Sequence, residues 1–199
     1  MKPRILYAAA LAASLVGSGA VGAARAAEAS PPPAADHARA APDAAAVFRA
    51  LATAGYVAQG SGTRILYVFV DPNCPYCRRT YEDLQPLIAR EHLQVRWVVL
   101  GILTPSSPGK AAAILGAKDP LAALRYNERH FHYPGGGGIE EDLPSDATAR
   151  RLHHNQELME MTGSNSVPTL IFRARGGRPA MVQGAPDAGA WKALLGELH

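Results

Sequence analysis

Residues 65–79 read Ile-Leu-Tyr-Val-Phe-Val-Asp-Pro-Asn-Cys-Pro-Tyr-Cys-Arg-Arg, and they form the most informative segment of the sequence. The apolar, β-branched and aromatic run at 65–70 predicts a buried central strand that ends at an Asp-Pro-Asn turn. Pro75 follows Cys74 at the position where a helix tolerates proline best, because the first helical N–H needs no partner within the helix. The sequence therefore predicts a strand, a tight turn and a helix that begins at Cys74.

Two cysteines stand three positions apart at the start of this helix. Unpaired backbone N–H groups and the positive end of the helix dipole favour a thiolate at Cys74, and Arg78 and Arg79 add positive charge one turn later. We therefore expect Cys74 to be an acidic, exposed nucleophile. Cys77 lies about one turn further along and further inside, where it is placed to attack a mixed disulfide on Cys74 and release the bound partner.

Two other uses of a Cys-x-x-Cys pair stay open at this point. One is half of a zinc site, although these are the only two cysteines in the chain, so histidines or carboxylates would have to complete it. The other is a structural disulfide, although such a short loop removes little entropy from the unfolded chain. Redox chemistry is the interpretation that the pair favours.

Four histidines lie in two pairs, His130 with His132 and His153 with His154. Each pair would have to direct both rings at one ligand cluster to hold a metal, and neighbouring residues on a helix point about 100° apart. We therefore predict histidines at the surface and no metal site.

The amino-terminal residues have the composition of an export signal. Two basic residues precede an apolar segment, and Ala24-Arg25-Ala26 has the small-residue pattern of a cleavage site. We predict a signal peptide at 1–26, an Ala/Pro-rich linker at 27–42 and a folded domain at 43–199. No membrane insertion is expected after cleavage, because every apolar run is shorter than a bilayer-spanning helix.

Cleavage of that signal would change the charge of the chain. The full sequence has 20 Lys and Arg against 17 Asp and Glu, and three of the basic residues lie within 1–26, so the remainder is balanced. With no basic stripe interleaved with aromatic residues, the sequence predicts no nucleic-acid partner. An exported protein whose only cysteines form Cys-x-x-Cys is expected to be an agent of thiol chemistry, because disulfides persist in oxidising compartments.

The segments around the cysteines follow a β-α-β, then helical, then β-β-α order. This order predicts an α/β domain with a helical insertion at about 103–162 between its two halves. The glycine run at 135–138 lacks the Lys-Ser/Thr of a phosphate-binding loop and predicts a mobile loop. Besides the strand at 65–70, the predicted elements are helix 43–54, helix 78–92, strand 94–100, helices 108–116, 119–131 and 146–161, strands 170–174 and 179–183, and helix 187–198.

A second motif, Ser166-Val167-Pro168-Thr169, precedes the predicted hairpin. A proline at the threshold of a strand cannot donate to the sheet, and X-Pro is the linkage at which a cis peptide bond is most accessible. The motif is informative because it follows a β-Cys-x-x-Cys-α-β pattern and precedes a hairpin and a helix.

With both motifs, the chain resembles the thioredoxin superfamily, whose members pair a Cys-x-x-Cys helix start with a cis-proline loop that lies against it. The closer resemblance is to the periplasmic DsbC/DsbG disulfide isomerases of Gram-negative bacteria. Asp71 to Cys77 is similar to the DsbG active site, the helices between 103 and 161 to the insertion of that domain, and Ser166 to Gly184 to its cis-proline loop and hairpin. The resemblance covers about Ile65 to Leu198.

The resemblance implies a thioredoxin-like fold and a role for each matching residue. Cys74 would be the attacking thiolate, Cys77 the resolving thiol and Pro168 the cis-proline, with the Val167 backbone pairing with substrate like an added strand. No cofactor is implied beyond the redox-active disulfide of the two cysteines, and no metal. The implied substrate-binding set is Pro75, Tyr76, Val167, Pro168 and Thr169.

The implied function is that of a periplasmic thiol:disulfide oxidoreductase or isomerase acting on exported proteins, through their disulfides or their cysteine sulfenic acids. A membrane thiol reductase of the DsbD type is the implied electron donor. The alternative is a thioredoxin-fold chaperone or assembly factor whose cysteines form a structural disulfide.

Two departures from the family pattern bear on these expectations. Val167 stands where DsbC and DsbG usually have threonine, which leaves the choice between oxidant, reductant and isomerase open. Only a linker and one helix separate the predicted signal from Ile65, where those isomerases have a dimerisation domain, so we expect a monomer.

Overall fold

The computed structural model describes residues 44–199, so the signal-peptide and linker predictions for 1–42 and the start of the first predicted helix lie outside the described residues. A 3₁₀ turn at Leu51–Thr53 extends the first helix. In chain order the elements are α1 (Ala44–Ala50), β1 (Tyr56–Gln59), β2 (Arg64–Val70), α2 (Pro75–Arg90), β3 (Leu93–Val99), α3 (Ser107–Gly116), α4 (Pro120–Arg129), α5 (Asp146–Met161), β4 (Thr169–Arg173), β5 (Pro179–Gln183) and α6 (Ala188–Glu197).

A mixed sheet with the strand order β1-β3-β2-β4-β5 organises the described residues. The central strand β2 runs parallel to β3 and antiparallel to β4. The edge strands β1 and β5 are each antiparallel to their neighbour. Because α2 connects the parallel pair, β2-α2-β3 is a β-α-β unit, and β4-β5-α6 forms the other half. The predicted α/β class is confirmed, with α3, α4 and α5 inserted between the two halves.

Strand β2 is buried on both faces of the sheet. Leu66, Val68 and Val70 pack into a cluster shared with α2, α3, α4 and α6. The alternate side chains of Tyr67 and Phe69 face a second cluster formed with α1 and α5. A strand covered on both faces needs a continuous apolar run, which explains the composition of this segment. Each large side chain buried there stabilises the fold by roughly 1.5–3 kcal/mol.

Strand β1 is the element that the sequence pattern does not predict. The side chains of Val57 and Gln59 point inward, and the polar Gln59 breaks the alternation of apolar and polar residues that a half-buried strand is expected to show. Gln59 is buried because its Oε1 accepts a hydrogen bond from the Trp97 indole N–H at 3.0 Å. The strand is short, and it pairs along one edge only, with β3.

Two further predictions concern membranes and metals. Across residues 44–199, no helix combines the length and apolar character needed to cross a bilayer. The same residues hold no group of three or more His, Cys, Asp or Glu side chains arranged to bind a metal ion. His130, His132 and His153 are exposed as predicted, whereas His154 is half-buried and bonds Glu157 at 3.2 Å.

Candidate active site

Cys74 is the N-cap residue of α2, and Pro75 occupies the first turn, as predicted. The backbone of Cys74 is extended, with φ −86° and ψ 115°, so the chain turns into the helix at the cysteine. Its Sγ therefore lies beside the free N–H groups of the first turn, and the Cys77 N–H donates to it at 3.2 Å. A sulfur in this position is stabilised as a thiolate.

The two sulfurs differ in their tendency to lose a proton. A hydrogen bond from the Cys77 side chain is the main reason that the pKa of Cys74 is lowered, and the backbone N–H groups of Cys77 and Tyr76 add to it; burial and the Asp71 charge act in the opposite direction. Burial raises the pKa of Cys77 well above its ordinary value, and the neighbouring Cys74 sulfur raises it further. Cys74 is therefore the thiolate of the pair and Cys77 the thiol.

The prediction that Cys74 is exposed is wrong. Only 3% of Cys74 and 1% of Cys77 are exposed. The loop before β4 packs across Cys74, whose Sγ lies 3.5 Å from the carbonyl oxygen of Val167, and Val167 packs against the cluster that holds both cysteines. The Val167–Pro168 peptide bond is cis, as the resemblance implies. The two sequence motifs thus meet in space, and the second covers the first.

The other residues of the implied substrate-binding set lie at different depths. Pro75 is exposed, and so is 63% of Tyr76, next to the buried cysteine. Pro168 and Thr169 are buried. The Thr169 hydroxyl donates to the Ser166 carbonyl at 2.7 Å and bonds the Ser164 hydroxyl at 2.9 Å. The Thr169 side chain therefore fixes the shape of the loop rather than facing a partner.

The two arginines after the cysteines were expected to add positive charge one turn after Cys74, and the structure gives their side chains other surroundings. Arg78 donates to the Glu82 carboxylate at 2.6 Å and lies over the Phe131 ring. Arg79 is exposed on α2. The groups that lower the pKa of Cys74 are hydrogen-bond donors of the first helical turn instead.

The Asp71 carboxylate holds the turn that precedes Cys74. Asp71 is buried and accepts four hydrogen bonds. Its Oδ1 accepts from the Asn73 N–H at 2.9 Å and the Ser107 hydroxyl at 2.7 Å. Its Oδ2 accepts from the N–H groups of Ile102 at 2.8 Å and Leu103 at 3.1 Å. These bonds join the turn to the start of the insertion.

The prediction of a mobile glycine loop is wrong. Asn73 Oδ1 accepts from Lys110 Nζ at 2.9 Å and from the Gly137 N–H at 3.2 Å, and Lys110 also donates to the Gly137 carbonyl at 2.6 Å. A Cβ at Gly136 would lie 2.1 Å from Asn73 Oδ1, and one at Gly137 would lie 2.0 Å from Asn127 Oδ1. The glycines allow the loop to approach the turn before Cys74 closely, which fixes the loop.

Helix α4 adds two buried polar residues that the sequence analysis does not single out. Asn127 donates from Nδ2 to the Pro72 carbonyl and to Glu128 Oε1, both at 3.1 Å. Burial raises the pKa of Glu128 to about 8. One signal was present in the sequence: Asn127 stands three residues after Leu124, and this spacing puts it on the apolar face of the helix.

A sequence model of the thioredoxin-like domain family matches residues 51–199 of the chain. The thiol:disulfide interchange protein DsbG of Pseudomonas aeruginosa is 32% identical, over 78% of this chain and 61% of that protein. The DsbG of Escherichia coli K12 is 30% identical, over 66% of this chain and 52% of that protein. The chain thus spans little more than half the length of these relatives.

The likeness to solved structures concerns the fold. The catalytic domain of Proteus mirabilis ScsC matches 76% of this chain and 93% of that chain, with a TM-score of 0.62 and 21% identity.

Proposed function

This chain belongs to the thioredoxin-like domain family, and on that premise we propose that it is a thiol:disulfide interchange enzyme that works through Cys74 and Cys77. One observation carries the proposal: a cysteine with a lowered pKa and a buried cysteine with a raised pKa share one helical turn beneath the Val167 carbonyl. The first has the chemistry of a nucleophile and the second that of a proton-carrying resolving group. The similarity to DsbG supports the same assignment.

The proposed reaction has two exchanges. The Cys74 thiolate attacks a substrate disulfide, forms a bond to one substrate sulfur and displaces the other as a thiolate. In an isomerisation, that thiolate attacks a different disulfide of the substrate, and the sulfur displaced there attacks the substrate sulfur of the mixed disulfide, so that a rearranged substrate disulfide forms and Cys74 leaves again as a thiolate. In a reduction, Cys77 instead loses its proton and attacks Cys74 Sγ, so that the Cys74–Cys77 disulfide forms and the substrate departs as a thiol.

A cysteine sulfenic acid is the second proposed substrate class. Attack of the Cys74 thiolate on the sulfenic sulfur forms the same mixed disulfide and releases hydroxide, which is protonated to water. Cys77 then resolves the mixed disulfide as before. The low exposure of Cys74 supports a role in which the thiolate meets a partner only when the partner docks on the surrounding loop.

Substrate is proposed to dock on the surface around Cys74. The backbone of Val167 would pair with an extended segment of the partner, as an added strand does. The exposed ring of Tyr76 and the exposed Pro75 would provide apolar contact beside it. These contacts suit unfolded or extended cysteine-containing segments rather than a small molecule.

The proposed setting is the periplasm. It is supported by the signal-peptide pattern at 1–26 and by the similarity to DsbG. In that compartment the substrates would be exported proteins with cysteines, and a membrane thiol reductase of the DsbD type would return electrons to the pair. The monomeric state stays a prediction, which the mass of the purified protein in solution tests.

The decisive experiment compares two single cysteine variants with a reduced and an oxidised model substrate. Cys77→Ser should accumulate a covalent, dithiothreitol-sensitive complex with substrate, because the mixed disulfide can no longer be resolved. Cys74→Ser should form no complex and show no exchange. An active Cys74→Ser protein, or a Cys77→Ser protein that forms no complex, would overturn the proposal. Pretreatment of an oxidised substrate with dimedone, which blocks sulfenic acids, separates the two substrate classes.

The direction of electron flow is read from the reduction potential of the pair in glutathione buffers. A potential of about −120 mV would mean that the Cys74–Cys77 disulfide is destabilised, which suits an oxidant or an isomerase that works in the reduced form. A value below about −250 mV would mean a stable disulfide and a reductant. A value that low combined with slow exchange would instead indicate a structural disulfide.

A further inference from the structure

A cavity of about 360 Å³ lies between the end of β3 and the carboxyl end of α5. Its apolar lining consists of the buried Leu100 and Met159 and the exposed Ile102. Its polar lining includes Gln156 and Glu160, which are both exposed and therefore lie at its opening. Apolar walls with a few polar groups are the usual composition of a binding site.

Two segments join this cavity to the redox site. Ser164 and Asn165, which also line it, begin the loop that carries Val167. The N–H of Ile102 donates to the Asp71 carboxylate at 2.8 Å, in the turn that leads into the redox pair. Extended chain advances roughly 3.3 Å per residue, so a substrate segment that pairs with the Val167 backbone reaches the cavity within about three residues of its cysteine.

The cavity has a negative charge at its opening. Glu160 lies in the last turn of α5, where the helix dipole already contributes partial negative charge. Helix α5 is described over its whole length, and its last turn has no basic residue. Within residues 44–199, no Lys, Arg or His side chain forms a salt bridge with Glu160, whose carboxylate accepts a bond from Gln156 Nε2 at 3.4 Å.

This position of Glu160 does not serve the stability of the helix. An acidic side chain at the carboxyl end of a helix is electrostatically unfavourable, whereas a cation there is stabilising. A bound cation would therefore interact favourably with both the carboxylate and the helix end. Lysine and arginine combine such a charge with an aliphatic stem that packs on apolar surface.

We propose that the cavity is a substrate subsite for a lysine or arginine side chain, an inference that rests on the proposed function. The aliphatic stem packs against Leu100, Ile102 and Met159, and the cationic group lies beside Glu160. The preferred substrate is then a segment with a basic residue within about three positions of its cysteine. The subsite takes no part in the exchange of sulfurs, and it selects which cysteines the Cys74 thiolate attacks.

The test uses the reduced protein and short peptides, each with one cysteine held in a mixed disulfide with thionitrobenzoate. The Cys74 thiolate attacks the peptide sulfur, forms a disulfide with it and displaces the coloured thionitrobenzoate anion. Lysine, norleucine or glutamate is placed in turn at each of the three positions on either side of the cysteine. At one position lysine should react about threefold to fivefold faster than norleucine, and glutamate more slowly than norleucine. Lysine peptides of equal net charge, with the lysine on the other side of the cysteine, control for long-range attraction.

Three variants assign the preference to the cavity. In Glu160→Gln the ratio of the lysine rate to the norleucine rate should fall to about one, and in Glu160→Lys the glutamate peptide should become the fastest. Glu157→Gln is the matched control, because this acid of α5 bonds His153 and His154 and does not line the cavity. It should keep the full preference for lysine. Urea unfolding should find Glu160→Gln at least as stable as the wild type, since it removes an acid from the unfavourable end of α5.

The outcomes separate the two proposals. If the wild type releases no thionitrobenzoate from any peptide, or Cys74→Ser releases it as fast, the proposed function fails. If every peptide reacts but lysine is favoured at no position, the subsite is refuted while the proposed function stands. The same holds if Glu160→Gln keeps the lysine preference, or if Glu157→Gln loses it to the same extent.

Discussion

The β-α-β unit and the helical insertion contribute to the site in different ways. The unit supplies both sulfurs within one helical turn, as part of a single local motif. The insertion supplies the polar groups that hold this motif from far along the chain, such as Ser107, 36 residues from Asp71, and Gly137, 64 residues from Asn73. The sequence around Cys74 therefore determines which residue is the nucleophile, whereas the helical insertion determines how firmly that residue is held in place.

The largest expected effect tests the charge that the insertion places beside the cysteines. In the folded, reduced protein the pKa of Glu128 is about 8, against an ordinary value of 4.5. The contribution of this group to stability is therefore fully present below pH 4.5 and is lost as the pH rises through 8. Glu128→Gln, which stays neutral, should be more stable than the wild type above pH 8, by on the order of several kcal/mol.

Urea unfolding of the reduced proteins at pH 5 and pH 8.5 measures this difference. The gap between variant and wild type should be small at the lower pH and wide at the higher one. Parallel stability curves for the two proteins would mean that Glu128 titrates normally, and the insertion would then contribute hydrogen bonds but no perturbed acid.

The next effect concerns the bonds between the turn and the start of the insertion. Asp71→Asn places an NH₂ group against backbone or hydroxyl donors that now face carboxylate oxygens, and should cost about 3 kcal/mol of unfolding free energy. It should also lower the pKa of Cys74 further, because the Asp71 charge raises it. Chemical denaturation and the thiolate absorbance as a function of pH measure the two effects.

Asp119→Asn is the matched control for that substitution. Asp119 caps α4 by accepting from the Ala122 N–H at 3.0 Å, at an exposed site where asparagine caps equally well. Its unfolding free energy should change by only a few tenths of a kcal/mol. Equal losses of unfolding free energy in the two variants would show that the buried carboxylate of Asp71 contributes no more to stability than an exposed helix cap.

A smaller effect is expected where the glycine loop meets the turn. Gly136 and Gly176 both have a positive φ, 84° and 81°, so alanine at either position strains the backbone by about 1 kcal/mol. At Gly176 nothing lies within 4 Å of the added Cβ, whereas at Gly136 Asn73 lies in the way. Gly136→Ala should therefore lose about 1–2 kcal/mol more than Gly176→Ala in urea unfolding. Equal losses of unfolding free energy in the two variants would mean that the glycine loop moves to accept the added Cβ without disturbing the turn before Cys74.

The smallest effect tests the ammonium group that bridges the turn and the loop. Lys110→Met removes the bonds to Asn73 and Gly137 and should reduce stability by about 1–2 kcal/mol. Lys118→Met, at an exposed position after α3, should change it by less than about 0.5 kcal/mol. Thermal unfolding of both variants makes the comparison, and a Lys110 variant as stable as the control would restrict the support of the site to Asp71 and the glycines.

The same division explains what the sequence predicts. The central strand, the helix that begins at Cys74 and the loop of Pro168 follow from local patterns of apolar residues, proline and cysteine. The position of Val167 over Cys74 does not follow from a local pattern, because it depends on how two segments far apart in the sequence pack together. The fixed glycine loop was missed for a related reason: glycine permits both mobility and close approach, and only the neighbouring Asn73 and Asn127 decide between them.

Buried polar residues are the other part that the sequence conceals. Asn127 and Glu128 are polar residues of the kind found on solvated helix surfaces, and their burial follows from the packing of α4 against α3 and from the bond of Asn127 to the turn before Cys74. Gln59 hides strand β1 in the same way, since a polar side chain at an inward position interrupts the expected alternation. Asn127 and Gln59 each form a hydrogen bond to a distant residue, which makes their burial possible, whereas Glu128 accepts a bond from its neighbour Asn127.

The contact between Cys74 and Val167 spans 93 residues, and this separation has a consequence for the order of folding. Long-range contacts form late, because the entropy of closing a large loop must be overcome before they stabilise anything. A chain that has emerged only as far as α2 already holds both thiols, but nothing covers them. Shielding of the nucleophile, and the surface on which a partner would dock, arise together when β4 joins the sheet. Full assembly of the domain is thus the step that covers an already reactive Cys74 and makes it selective.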